Sequence, residues 1–276
     1  MVAAVVAESL TDAPCPRVGL TITGLGVGDS VISVWRTADG ARSPVRGGRR
    51  VTIVDAGFIT DYDAPLGRPV FYEVEVISGP GGPSRTLTPT ITVASTTAWL
   101  QDPLIPQSAV PVVCDDSDEG PYLRGEALAQ LEYAADVSLI NIMGSDKPMA
   151  LFGQRMAARG VPLSLAAQLL EHNVRLRQLL MCTAQLLFRP LPVLDSVPGT
   201  MFVSIPTATE IPVDVAEGSH LTWWDLKADT VQAPVLKVLT ATFTYGDVAL
   251  LFATYQQKQD SAAGKTYLDD LKNPLG

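Results

Sequence analysis

Cysteine is scarce in this chain of 276 residues, histidine is scarcer, and positive charge is in deficit. Cys15, Cys114 and Cys182 are odd in number, far apart and outside any C-x-x-C spacing, so neither a disulfide framework nor a zinc knuckle is indicated. They read as free thiols of a protein made in a reducing cytoplasm. The only histidines, His172 and His220, lie outside any H-E-x-x-H motif, and a histidine-based zinc site would have to be assembled from distant segments. No stretch reaches the roughly 18 uninterrupted apolar residues of a membrane helix. The opening MVAAVVAESL has no basic residue and meets Glu8 at once, so it does not read as a signal peptide. Net charge is −9, with nine acids against eight arginines in residues 1–95 and twenty acids against twelve bases in 96–276. Phosphate binding needs a positive field, so nucleic acid is excluded as a partner.

Catalytic signatures are missing as well. There is no G-x-S-x-G elbow and no Walker A sequence. GLGVGD at 24–29 runs into SVISVWRT, which reads as a strand, whereas a phosphate-binding glycine motif must open a helix; a hairpin is expected. The carboxylate pairs Asp61/Asp63 and Asp269/Asp270 lack a cleft to flank, and the shared facing of Asp61 and Asp63 on a strand suggests a solvated face. DDSDEG at 115–120 offers oxygen ligands but lacks the closing bidentate Glu of a calcium loop, so a solvated acidic loop is expected. No catalytic, cofactor-binding or metal-ligating residue is assigned, no cofactor is implied, and the chain is read as a non-enzyme.

What is present is a globular composition, 47% hydrophobic with 18% charged, long enough for two cores. After an N-terminal arm (1–16), residues 17–95 read as successive short strands: VGLTIT, SVISVWRTA, RVTIV, FITDYDA, VFYEVEVIS and RTLTPTITVA. With no helix between them they predict an antiparallel sandwich of fibronectin III or immunoglobulin type, and the missing cysteine pair favours the former. Trp35 is expected in its core. Residues 96–130 are proline-rich and acidic and read as an extended linker. In 131–236, VSLINIM, RGVPLSLAAQ, QLLFRPLP, TMFVSIP, TEIPVDV and HLTWWDL read as strands around one short amphipathic helix, LEHNVRLRQLLM, with Leu170, Val174, Arg177 and Met181 at helical spacing. A second β domain, a sandwich or split barrel, follows from this. Residues 237–276 are helical in residue type, as YGDVALLFATYQQKQDSAAG and TYLDDLK.

Several residues are candidates for subunit interfaces. Trp99 can pin the linker to a neighbouring surface. ARSPVRGGRR places Arg42, Arg46, Arg49 and Arg50 around one loop edge, which reads equally as a grip for an acidic neighbour, with Arg46, Arg49 and Arg50 as interface candidates, and as a solubilising turn. In HLTWWDL, period-two alternation separates Trp223 from Trp224, which shares a face with Leu226. One ring then fills a core and the other needs a further cover, from the C-terminal helices or from another subunit.

The ordered phrases KPMALFGQR, PLSL, LRQLL, LLFRPLP, TMFVSIP with TEIPV, and LTWWDLKADTVQAPV resemble minor tail proteins of siphophages that infect actinobacteria, and more distantly distal tail proteins. VGLTITGL, VISVWRTADGARSPVRG and DYDAPLGRPVFYEVEV resemble the fibronectin-like module that precedes them. The resemblance implies a structural protein of the virion tail, assembled in the host cytoplasm, with a galectin-like β domain after the fibronectin-like one. Its implied partners are copies of itself in a ring, six-fold in form, and other phage tail proteins, with no membrane partner. It offers no catalytic residues to carry over. The alternative it leaves open is a carbohydrate-binding tail module contacting a glycan of the host envelope.

Overall fold

The computed structural model describes residues 3–114, 119–143, 146–194, 196–214, 216, 218–234, 245–266 and 270. It is mainly β, with few helices.

The first module comprises β1 (Ala4–Leu10), β2 (Arg17–Thr23), β3 (Asp29–Ala38), β4 (Ala41–Val54), β5 (Gly57–Asp61), β6 (Pro69–Ser78), β7 (Ser84–Leu87) and β8 (Ile91–Thr92). They form two antiparallel sheets, β1-β2-β5 and β4-β3-β6-β7, with β8 also paired to β6. Alternation builds the core between them: Val18, Leu20 and Ile22 from one sheet meet Ile32, Val34, Val70, Tyr72, Val74 and Val76 from the other. The expected N-terminal arm is instead an integral strand, because β1 pairs with β2 over its whole length. ARSPVRGGRR is strand too, and it bulges where β4 shifts register against β3, beside Gly47 at φ 70°. Trp35 is not a core residue. It has the outward parity of β3, where its Nε1 donates to Glu75 at 3.2 Å and the Arg42 guanidinium covers its ring at 3.9 Å.

The second module starts earlier than its composition suggests. Residues 96–130 are no linker: they supply β9 (Ala98–Gln101), a 3-10 turn at Pro106–Ser108, β10 (Val110–Val112) and β11 (Tyr122–Leu123). Further on come β12 (Ala135–Ile140), β13 (Met149–Arg155), β14 (Val161–Ala167), helix α1 (Leu170–Cys182), β15 (Gln185–Arg189), β16 (Met201–Pro212) and β17 (Thr222–Thr230). One seven-stranded sheet runs β10-β9-β15-β16-β17-β14-β11. Its two ends meet: Val113 N–H donates to Pro121 O at 2.8 Å and Leu123 N–H to Val113 O at 3.0 Å, which nearly closes a barrel. TMFVSIP and TEIPV, expected as two strands, form the single strand β16, whose register shifts against β17 between Ser204 and Thr207.

The barrel core holds Leu100, Leu163, Leu165, Leu186, Phe188, Trp224 and Leu226, and α1 adds Leu176 and Leu179. Trp224 is 3% exposed, and its indole N–H donates to Asn173 Oδ1 at 3.0 Å, so its one polar atom is satisfied inside. Trp223, one residue away, faces outward at 37% exposure beneath the Arg124 guanidinium, 4.5 Å from the ring centre. The alternation therefore holds, and the ring that lies outside is covered on one face by an arginine of its own chain. Helices α2 (Tyr245–Leu251) and α3 (Tyr255–Ser261) match the helical reading of the C-terminal segment. TYLDDLK lies largely outside the described residues.

The two tryptophans should differ sharply in stability cost. Trp224→Ala should lose about 3–5 kcal/mol, and Trp223→Ala no more than about 1 kcal/mol, the order of one exposed cation-π contact. Urea denaturation of both variants checks this, and equal losses would contradict the assigned facing.

Candidate functional site

Two features of this frame bear on function: a buried polar junction between the modules, and an uncovered apolar surface on the second one.

The junction centres on Arg189, the last residue of β15, which is 0% exposed. Its Nε donates to Ala64 O at 2.9 Å, Nη2 to Pro16 O at 2.7 Å and Nη1 to Gln101 Oε1 at 3.4 Å. Ala64 and Pro16 belong to the sandwich and Gln101 to the barrel, so one guanidinium spans both. Gln101 reinforces the link by donating Nε2 to Tyr62 O at 3.3 Å. Arg68 adds another, with Nη1 on Asp39 at 3.0 Å and Nη2 on Val197 O at 2.8 Å. The approach is close enough to require glycine: a Cβ at Gly67, where φ is +60°, would lie 2.2 Å from Pro192 Cγ. Burial pushes the Arg189 guanidinium below its ordinary value and the Cys15 thiol above its own, the latter partly offset by Arg189 and Arg17. Cys15 is thus held as a thiol rather than a nucleophilic thiolate.

Asp61 and Asp63 are not on a solvated face. Both are buried, because β5 carries Asp61 inward behind Ile59 and β3 carries Arg36 inward behind Val34. Arg36 Nη1 donates to both oxygens of Asp61 at 3.0 and 2.9 Å, and the Tyr72 hydroxyl donates to Oδ2 at 2.9 Å. Asp63 takes Arg46 Nη2 at 2.9 Å, while its Oδ1 has no hydrogen-bond partner. Burial therefore raises the Asp63 carboxyl above its ordinary value, with Arg46 pulling the other way. Asp61 thus bridges the two sheets of the first module, and Asp63 holds Arg46 where it reaches Pro234 O.

The interface candidates separate accordingly. Trp224 and Leu226 lie in the barrel core, where no other subunit can reach them. Arg46 is 3% exposed, paired to Asp63, with Nη1 3.4 Å from Pro234 O, so it serves the junction within the chain. Trp99 is half-buried on the seam, its Nε1 donating to Ser95 Oγ at 3.2 Å, beside a cleft of about 480 Å³ also lined by Thr11, Pro16 and Glu119. Arg49 and Arg50 stay exposed on β4. His172 is buried on α1, and among the described residues no group of three His, Cys, Asp or Glu is placed to hold a metal ion. Cys15 is buried, whereas Cys114 and Cys182 are exposed. Residues 115–118 of the acidic stretch, and Asp269, lie outside the described residues; Asp270 is ion-paired to Lys258 at 2.5 Å. Among the described residues no helix is long and apolar enough to cross a membrane.

The uncovered surface was not foreseen. Among the described residues β12 and β13 pair only with each other, and they form an arm on which every strand residue is exposed. Val137 opposes Phe152 and Leu139 opposes Ala150 on one face; Ser138 opposes Leu151 and Ile140 opposes Met149 on the other. Both faces are apolar. The arm leaves the barrel at the Glu132–Arg159 bridge, just before β14. A second uncovered strip lies on α1. Its buried side is His172, Asn173, Leu176 and Leu179, whereas Leu170, Val174 and Met181, the residues selected by helical spacing, face outward. The signal for the arm was legible in KPMALFGQR, an apolar run flanked by polar ends, but pairing it with VSLINIM required the structure.

No family model, curated protein or solved structure matches this chain.

Two outcomes test the junction. Arg189→Ala strands the carbonyls of Ala64 and Pro16 and should cost about 3 kcal/mol or more; calorimetry should then resolve two unfolding transitions in place of one. A single transition at the original temperature would contradict the coupling. Asp63, whose folded pKa is raised, binds protons more readily folded than unfolded, so its ionised form opposes folding and that penalty fades as pH falls through the raised value. The stability of the native protein relative to Asp63→Asn should therefore rise between pH 7 and pH 4. Urea titrations at both pH values measure it, and a fall would contradict the assignment.

Proposed function

We propose that this chain is a structural protein of a long-tailed phage virion, a minor or distal tail protein that joins the tail tube to the tail tip through protein–protein contacts. The observation that carries the assembly part is the arm of β12 and β13, with apolar side chains bare on both faces. An isolated two-stranded hairpin is marginal in water, and contiguous exposed apolar surface marks interaction sites. Phe152 is 79% exposed, a cost that burial against another chain removes. The arm needs a cover.

The remainder of the chain suits such a role. Two β modules fixed to one another by Arg189, Arg68 and Gly67 make a frame that holds its docking surfaces at set positions. The tail assignment rests on the ordered sequence phrases that resemble siphophage tail proteins, and the mainly β architecture is compatible with it. Its mechanism is geometric: a rigid body offers its arm and faces to copies of itself and to other tail proteins.

The purified chain should elute as a multimer, with light scattering giving a mass several times that of the 29.4 kDa monomer. Antibody raised against it should label virions of the encoding phage at the tail tip. Label on the capsid, or only on non-viral material, would contradict the tail assignment.

A further inference from the structure

The cleft at the seam of the two modules has a chemistry of its own. We propose that it binds a neutral glycan, with a sugar ring stacked on the indole of Trp99 and the sugar hydroxyls bonded to the polar side chains around it. This stands apart from the assembly reading above and does not rest on it.

Local structure fixes the platform. Ala98 and Leu100 of β9 belong to the barrel core, so Trp99 between them has the outward parity. Across the strands it stands opposite Pro111 of β10 and Arg189 of β15. Arg189 is fully buried in the junction, whereas Trp99 is half-buried and lines the cleft. Its Nε1 donates to Ser95 Oγ at 3.2 Å. That hydroxyl also accepts from Thr97 N–H at 3.3 Å and donates to Thr97 O at 2.7 Å, which uses its whole bonding capacity. The indole is thereby held in place with its N–H spent, and what it has left to offer is ring surface. The sandwich side is equally fixed. Pro16 O accepts from Arg189 Nη2 at 2.7 Å, and Arg17 Nη1 donates to Asp12 O at 2.9 Å and Ala13 O at 3.0 Å, anchoring the turn that follows Thr11. A site formed before its ligand arrives spends little binding energy on ordering.

The lining selects the class of ligand. The cleft, of about 480 Å³, falls within the roughly 300–1,000 Å³ of small-ligand sites. Among the described residues its lining holds Glu119 and no lysine, arginine or histidine, so a phosphorylated or carboxylated ligand meets a like charge and no partner. A pure hydrocarbon would strip water from Glu119 and the threonine hydroxyls and replace none of it. An extended peptide finds no free strand edge at Trp99, because β9 is paired on both sides, and Trp99 is the one aromatic residue in the described lining, whereas proline-rich peptides dock in grooves built of several. A sugar ring meets both requirements. Its C–H face is apolar and suits an aromatic plane, and its rim of hydroxyls both donates and accepts, matching Thr11, Thr96 and Glu119 at their exposed positions.

Titration calorimetry and tryptophan fluorescence of the purified chain test this, with cellotetraose, maltotetraose, galactotetraose and chitotetraose as probes. At least one should bind with a Kd of about 1 mM or tighter and change the emission. Trp99→Ala should weaken that binding about ten-fold or more. Trp99 also packs against the sandwich core, so Glu119→Gln and Thr96→Val, both at exposed positions, form the second arm: each should lower affinity about three-fold or more with Tm unchanged. Trp35→Phe and Trp223→Phe should bind as the native chain does. No binding by any of the four probes up to about 10 mM, affinity that tolerates both Trp99→Ala and Glu119→Gln, or tighter binding of decaproline than of any sugar would overturn the site. None of these results touches the assembly reading, which light scattering and virion labelling decide.

Discussion

One buried guanidinium sets the geometry of this protein. Arg189 sits without solvent access between the sandwich and the barrel and donates to acceptors from both. A buried arginine is tolerable only where its donors are used and its charge is balanced, and here Asp61 and Asp63 lie near enough to favour its charged form. Those acids are committed in turn to Arg36 and Arg46, which arrive from the opposite sheet. The arrangement is interdependent. Removing one member leaves another unpaired in a region of low dielectric, so the modules are joined by orientation-specific bonds and not by a flexible linker.

That rigidity gives the apolar surfaces their meaning. An arm on a loosely jointed chain would sweep a wide volume and lose much of its binding energy to ordering. An arm fixed to a barrel that is itself fixed to a sandwich offers its faces at a constant position. The cost falls on the isolated chain, which holds Phe152, Leu139 and Met181 in water. Burial against another chain would relieve it.

What was legible in the sequence was local. Alternation in VGLTIT and VFYEVEVIS located strands with the correct inner faces, because adjacent side chains on a strand must diverge. The same rule separated Trp223 from Trp224. Partners distant in sequence were not legible. Asp61 and Asp63 do share a facing, but the arginines that draw them inward lie 25 and 17 residues away on other strands. The prolines of 96–130 suggested a linker, though Pro111 fits readily into the short strand β10 near the barrel seam. Helical spacing picked out Leu170, Val174 and Met181 in an amphipathic helix without fixing which side is buried, and the barrel took Leu176 and Leu179. A helix apolar on two sides reads like an ordinary amphipathic one until its neighbours are known.

The central proposal is that the arm is covered when the chain assembles, and amide hydrogen exchange tests it most directly. In the assembled protein the amides of β12 and β13 should exchange slowly, and in the dissociated chain they should exchange rapidly, while β14 to β17 stay protected in both. An arm that exchanges as fast in the assembly as in the monomer would contradict the account.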